Sequence, residues 1–420
     1  MSRRVVITGA GTVNPLASTL DAFASSLLEG KCGVRALTVI DPSGLPVRIG
    51  GEVRDFDARQ YLDKKDRKSL KLMVRTHQLA VAAARLARDH AGLSVDAIDP
   101  ERFGTSLGSG TVSADLADLG PASRASFDFH TGRVCFDKWG RDGLSLIPPM
   151  WMLNHVPNMA ACHVAIVNDC RGPNNTITLT DESGLSALGE AYRIVRRGRA
   201  DAMLAGGAET RINPISLARN VKFGHLVAAN DDPARACRPF DRDRTGIALG
   251  EGSTVLVLES LDHANRRGAR PLAEVCAFGC GMDVGCKGAG LARVIRDTLN
   301  KAGIRATELD HVNANAGGWV DHDAWEARAL REAIGDVPVV AYKGALSNLG
   351  SAAGPTELIA SVLALQIGRL AATLNCDKIA ADCPVNVVRA PRPVTKPFVL
   401  KISGTDRGQC AAILVRRWKD

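Results

Sequence analysis

Three groups of side chains in this sequence sit where chemistry is possible. The first is Asp181. It follows an alternating, β-branched run, Thr176-Ile177-Thr178-Leu179-Thr180, that reads as a strand. It precedes Glu182-Ser183-Gly184-Leu185, the start of an amphipathic helix that ends near Arg196-Arg197-Gly198. At such a junction the first helical N–H groups point outward without partners, and an anion or a nucleophile is well placed. A thiol there has a lowered pKa and is reactive. The residue is a carboxylate instead, and Thr, Asp, Glu and Ser at a helix start are also plain capping chemistry, worth about 1 kcal/mol. The second group is Asp321-His322-Asp323, metal-like in isolation but placed to begin and cap a helix. The third is Cys276, Cys280 and Cys286, the densest group among eleven cysteines. No CxxC pair or zinc-like Cys/His spacing accompanies them, and their apolar surroundings predict burial.

These groups need elements to hold them. Arg4 to Thr8 reads as a short strand. The following Gly9-Ala10-Gly11-Thr12-Val13-Asn14-Pro15 lacks the spacing of a dinucleotide loop and reads as a turn. A helix is expected from about Ser69 to Gly92, and a strand from Arg102 to Leu107 closed by Gly108-Ser109-Gly110. Residues 111–158 read as irregular. Their apolar stretch Pro148-Pro149-Met150-Trp151-Met152-Leu153 either lines something, meets a partner or is a buried loop. Ala200 to Gly206 and Thr254 to Glu259 read as strands. The second half repeats the order, with strands at 272–278, 311–314, 337–341, 397–402 and 410–416 and helices at 288–302, 322–334 and 354–368. The repetition implies a duplicated α/β core, divided into 1–255 and 256–420.

Composition narrows the classes. With 45% hydrophobic and 4% aromatic residues, the core must be built from Ala, Val, Leu and Ile. The net charge of +8 is scattered, without a Lys/Arg block or interleaved aromatics, which speaks against nucleic acid and is compatible with an acidic protein partner. No apolar run approaches ~18 residues, so no membrane span is expected, and the N-terminus enters a strand directly, without a signal peptide. Cysteines without pairing patterns fit a reducing cytoplasm.

Several landmarks then occur together: Val6-Ile7-Thr8-Gly9, Pro157-Asn158-Met159-Ala160-Ala161, Gly172-Pro173-Asn174, Leu204-Ala205-Gly206-Gly207-Ala208-Glu209, Arg238-Pro239-Phe240-Asp241 and Gly250-Glu251-Gly252. With them the chain resembles, nearly end to end, the elongating β-ketoacyl-ACP synthases of the thiolase fold. The resemblance implies an α/β thiolase fold, with duplicated βαβαβαββ halves giving a five-layered α-β-α-β-α core. Those synthases carry the acyl chain on a Cys at a helix N-terminus and use two His to promote decarboxylation and stabilise developing charge. Matched residue by residue, the Cys position is Asp181, the first His position is Asn315 and the second is Asn348, while the supporting Lys343 and Glu357 are retained. The glycine-rich gating loop corresponds to Ser403-Gly404-Thr405-Asp406-Arg407-Gly408, so Thr405, Asp406 and Arg407 depart from it. The remaining histidines, His155, His163, His311 and His322 among them, match no catalytic position.

A carboxylate is a poor thioester acceptor, and Asn has no titratable proton near pH 7. A synthase scaffold without its triad resembles the chain length factor of type II polyketide synthases, an inactive subunit that pairs with an active one and requires no cofactor. The resemblance implies a heterodimer with an active ketosynthase subunit and an acyl carrier protein as further partner. It puts Thr176, Ile177, Thr178, Leu179 and Thr180 at the dimer interface, and Thr111, Ala114, Leu116 and Ala117 at the end of the acyl tunnel. Small residues there imply a fairly long product, unless the alanines reflect only helix propensity. Two other readings stand beside it. One is a divergent acyltransferase or hydrolase with Asp181 as general base, the other a module that only docks an acyl carrier protein. A buried Asp181 needs a polar partner, expected from Asn315, Asn348 or another subunit.

Overall fold

In the computed structural model, which describes residues 3–112, 116–227 and 229–419, each half of the chain contributes a group of strands to one mixed sheet of eleven. The first half supplies β1 (Val5–Val13), β2 (Phe103–Ser109), β3 (Asn174–Ile177), β4 (Ala202–Thr210) and β5 (Glu251–Ser260). The second supplies β6 (Ala273–Met282), β7 (Leu309–Asn313), β8 (Pro338–Val340), β9 (Asn386–Val387), β10 (Phe398–Gly404) and β11 (Gln409–Arg417). Their order is β9-β8-β7-β10-β11-β6-β1-β5-β4-β2-β3. On each side of the β1–β6 seam, where Val5 pairs with Val275, two antiparallel strands lead to a parallel set, of three strands in the first half and four in the second. That repetition is the expected duplication. The expected division at 255/256 is corrected, because it falls inside β5. This strand is paired along its length with both β1 and β4, and cutting it would strand ladder groups of the first half.

Helices cover both faces of each half and fill the space between them. The helices α3 (Ser183–Arg196) and α6 (Ala353–Ile367) lie in the middle, touching strands of both halves. α6 is buried from Ala353 to Leu365 on every side, the condition of a helix enclosed between sheets. Outside, α1 (Arg75–His90) and α2 (Met159–Asn168) pack on the first half, and α4 (Ala289–Ala302) and α5 (Val320–Ile334) belong to the second. α4 buries Leu291, Ala292, Val294, Ile295, Thr298 and Leu299, one stripe of helical spacing, and leaves the other face to solvent. The result is the five-layered α-β-α-β-α arrangement.

Two local expectations are corrected. Gly9 to Val13 continues β1 rather than turning, and the glycines serve close packing: a Cβ at Gly11 would lie 2.2 Å from the Ala83 carbonyl oxygen, and one at Gly9 2.4 Å from that of Ala87. Helix α1 therefore rests directly on the strand backbone. Residues 111–158 are not irregular throughout. They contain a helix Leu116–Ser126, with Pro121 inside it, and a hairpin pairing Phe127–Asp128 with Arg133–Val134. The segment leaves Phe129, Phe136, Leu144, Met150 and Met152 exposed.

Gly11→Ala is expected to destabilise the fold by at least about 2 kcal/mol, because neither strand nor helix backbone can recede without losing its ladder. Urea unfolding of the two proteins measures this; an unchanged midpoint contradicts the close packing.

Candidate functional site

The parallel strands of both halves end on the same side, and the loops leaving them enclose a cleft of about 230 Å³. Asp181 enters from the turn between β3 and α3, Glu209 and Arg211 from the end of β4, Asn315 from beyond β7, Lys343 and Asn348 from beyond β8, and Thr405 from beyond β10. Crevices beyond the carboxyl ends of parallel strands are where α/β sheets bind ligands. Sequence-singled residues from distant stretches thus meet: Thr111, Leu179, Thr180, Asp181, Asn315, Lys343, Asn348, Thr405, Asp406 and Arg407 line one space.

Asp181 does not cap the helix. Glu182 occupies the N-cap position and makes no side-chain cap bond, and the Asp181 carboxylate turns into the cleft. One oxygen accepts from Arg211 Nη2 at 2.7 Å, the other from Asn348 Nδ2 at 2.7 Å. Arg211 Nε donates to Glu209 Oε1 at 2.8 Å, and Glu209 Oε2 accepts from the backbone N–H and hydroxyl of Ser351 at 2.7 and 2.9 Å. Asn348 Oδ1 is fixed by the Gly350 N–H at 2.9 Å. Burial pushes the Asp181 carboxyl up, but Arg211, Lys343 and the Asn348 amide outweigh it and hold the group below its ordinary value. Burial likewise opposes the charge on Arg211, and the two carboxylates overcome it.

A second network lies behind. Lys343 Nζ donates to the Asn315 carbonyl and side-chain oxygens at 2.8 and 2.7 Å and pairs with Glu357 at 3.1 Å. Glu357 also binds Lys401, whose ammonium is pushed down by burial and opposed by Glu357. Asn315 Nδ2 donates to the Gly404 carbonyl at 3.0 Å, and the Asn315 N–H to Glu326 at 2.7 Å. The expected partner of Asp181 is therefore Asn348, joined by Arg211, while Asn315 serves the other network. Neither network offers a thiol or an imidazole at the family's catalytic positions. A carboxylate held below its ordinary pKa with both oxygens engaged is a weak base.

Arg211, Glu209, Ser351 and Lys401 were not apparent in the sequence as site residues. An Arg just past a buried strand reads as an ordinary surface cation, and only the sheet order puts it beside Asp181. Asp321-His322-Asp323 is corrected as a cap. Trp319 holds the N-cap position, and the buried Asp323 carboxylate accepts from the N–H groups of Gly317, Gly318 and Phe240 at 3.1, 3.0 and 2.9 Å. His322 lines the cleft, lies against the Gly404 backbone and is lowered to about 4, chiefly by burial. His311 is in the core, bonded to Asp310 and Ser361 and away from the cleft. Cys280 is exposed and Cys276 and Cys286 are half-buried, against the expectation of burial: β6 pairs with β1 only at Ala273–Val275, so its later residues have a strand neighbour on one side alone, and Cys286 lies beyond its end.

The remaining expected positions separate. The strand ends at Ile177, not Thr180. Ser183 Oγ accepts the Leu179 N–H at 3.2 Å and bends Thr178 to Thr180 into a turn. Thr176 and Ile177 lie on β3, the edge of the sheet, while Leu179 and Thr180 face the cleft. Leu116 and Ala117 are exposed on the helix Leu116–Ser126, apart from the cleft residue Thr111, and Ala114 lies outside the described residues.

Comparison with known proteins agrees with this geometry. The family described as Beta-ketoacyl synthase, N-terminal domain, matches residues 2–264, and Beta-ketoacyl synthase, C-terminal domain, matches residues 282–377. The 3-oxoacyl-acyl-carrier-protein synthase 2 of Synechocystis sp. is 32% identical over 396 residues, 92% of this chain and 91% of that one. Among solved structures, the ishigamide ketosynthase/chain length factor superposes with a TM-score of 0.86 at 28% identity, covering 100% of both chains. A type II PKS acyl-carrier protein in complex with its ketosynthase bound to the hexaketide gives a TM-score of 0.85 at 25% identity, again over 100% of both.

Two outcomes follow from the charges. Arg211→Ala leaves Asp181 and Glu209 facing each other without a cation and is expected to cost about 3 kcal/mol, whereas Asp181→Asn, which leaves Arg211 its Glu209 partner, costs less; chemical denaturation ranks them. Glu182, 2% exposed, is pushed up to about 7 by burial, with the Ser186 hydroxyl opposing the shift. A raised carboxyl pKa contributes stability that is complete below the ordinary carboxylate range and is lost as pH rises through about 7. Unfolding free energy is thus expected to fall between pH 5 and 8, by up to on the order of 3 kcal/mol from this group. Glu182→Gln should flatten that slope; identical slopes in both proteins exclude the assignment.

Proposed function

The chain belongs to the β-ketoacyl synthase family, and within it we propose that this member is a non-catalytic chain length factor, pairing with an active ketosynthase subunit and shaping the acyl tunnel between them. The observation that carries the reading is the fate of the three catalytic positions. Asp181, Asn315 and Asn348 are not merely different residues; each is engaged in a hydrogen-bonded network, with both Asp181 oxygens and both ends of the Asn315 amide bonded. Asp181 as general base, the alternative reading, is disfavoured by its lowered pKa and its two engaged oxygens.

The interface reading draws on the edge of the sheet. Among the described residues β3 has no neighbour on its outer side, and an unpaired strand edge is a template for another chain. Thr176 to Thr180 would pair there with the partner subunit, and the exposed apolar side chains between Phe129 and Met152 would be covered with it. The solved ishigamide ketosynthase/chain length factor supports such an assembly, and the acyl-carrier-protein complex supports a carrier protein as the donor of the growing chain. No helix among the described residues is long and apolar enough to cross a membrane, and the proposed setting is the cytoplasm. Thr111, Leu116 and Ala117, with Ala114, would form the end wall of the partner's tunnel.

Co-expression with a synthase subunit that has an intact Cys-His-His set is expected to give a one-to-one heterodimer by size exclusion with light scattering. Condensation by that pair should vanish when the partner's Cys is replaced and persist with Asp181→Ala. Turnover of acyl carrier substrates by this chain alone, abolished by Asp181→Ala, would establish the general-base reading instead. In the pair, Ala117→Trp is expected to shift the product towards shorter chains by mass spectrometry; an unchanged distribution removes Ala117 from the end wall.

A further inference from the structure

The cleft beside Asp181 has a wall of rings. Trp319 stands at its centre, with the ring of His225 at 4.0 Å and that of His322 at 5.6 Å, the latter nearly parallel to it at 18°. His322 abuts Trp325 at 4.7 Å, and Phe223 extends the row at 6.4 Å from His225. Trp319 is not carried on a loose loop. The two N–H groups before it are clamped by the buried Asp323 carboxylate. Gly318 has φ +106°, and a Cβ there would meet the Gly246 carbonyl oxygen at 2.8 Å. The turn fixes the backbone that carries the indole, and the imidazoles of His225 and His322 pack beside it.

What this wall leaves is about 230 Å³, below the roughly 300–1,000 Å³ of pockets that enclose a drug-sized ligand. The Asp181 side chain is nevertheless 16% exposed within it. We infer that Trp319 is a size-selecting residue of this chain's own cleft: small molecules reach position 181, and a long thioester-bearing arm of the acyl-pantetheine kind is turned away. The inference rests on the cleft alone and holds whether or not the chain pairs with a synthase.

Asp181→Cys converts the position into a reporter. Arg211 beside the introduced thiol favours the reactive thiolate. The full-length variant is treated with iodoacetamide or with a maleimide on a pantetheine-length arm, and modification of position 181 is followed by peptide mass spectrometry, which separates it from the eleven native cysteines. Iodoacetamide is expected to modify the introduced thiol, while the long reagent lags by at least roughly tenfold relative to their ratio on a free thiol, a barrier of about 1.4 kcal/mol. Trp319→Gly in the same background should erase the lag. Leu179→Cys, which also faces the cleft and leaves the ion pairs intact, is a second reporter should Asp181→Cys fold poorly. Equal access of both reagents in the presence of Trp319 overturns the inference. So does a lag that survives Trp319→Gly, or a cleft that neither reagent enters in any variant.

Discussion

A carboxylate removed from water needs a counter-charge, and that requirement organises the centre of this molecule. Asp181 and Glu209 both pair with Arg211, and Asn348 donates to the second oxygen of Asp181. These residues come from three loops and from both halves of the duplicated core. Desolvation disfavours every charge in the group taken singly, and only the set is stable. An acid in place of the family's thiol is therefore not an isolated change. It is paired with the guanidinium thirty residues later on one oxygen and with an amide on the other.

Much of the architecture was readable because burial imposes period and length. The near-continuous apolar runs at β4, β5, β10 and β11 marked strands, and a helix was expected at 354–368, where the fold encloses α6 between layers. The family landmarks put Asp181, Asn315 and Asn348 in register with catalytic positions, and the fold does bring all three to one cleft. What was not readable depends on sheet order. Arg211 acquires its role only because β4 lies two strands from the edge strand that leads to Asp181. Gly9 and Gly11 looked like a turn, since local sequence cannot say that a helix will press on the strand at that point.

The second network explains why so much of the family's apparatus persists. Lys343, Glu357 and Lys401 are fully buried and mutually paired, and removal of one member would leave the others as unpaired charges in the core. Lys343 also ties the loop of Asn315 to the strand β8 region. Such groups are under structural constraint independent of catalysis, so their retention carries little information about activity. The three positions that match the family's catalytic residues are the ones that differ, and they are drawn into the ion pairs and hydrogen bonds of the cleft.

A cleft that is locked and narrowed beside an intact scaffold changes what two such subunits achieve together. In a pair of equal synthases, each chamber competes for the same carrier-borne chains. Here the cleft holds an ion pair at the position of the family's thiol, and Trp319 with the neighbouring imidazoles of His225 and His322 lines it. On the proposed pairing with a synthase, a carrier arm gains nothing by entering this cleft and traffic favours the partner. The working surfaces of such a subunit would be the edge strand and the exposed apolar segment beyond β2, which need the whole five-layered core to hold their shape. On that proposal, loss of chemistry and retention of fold are one property: the scaffold persists because a rigid wall must be built on something.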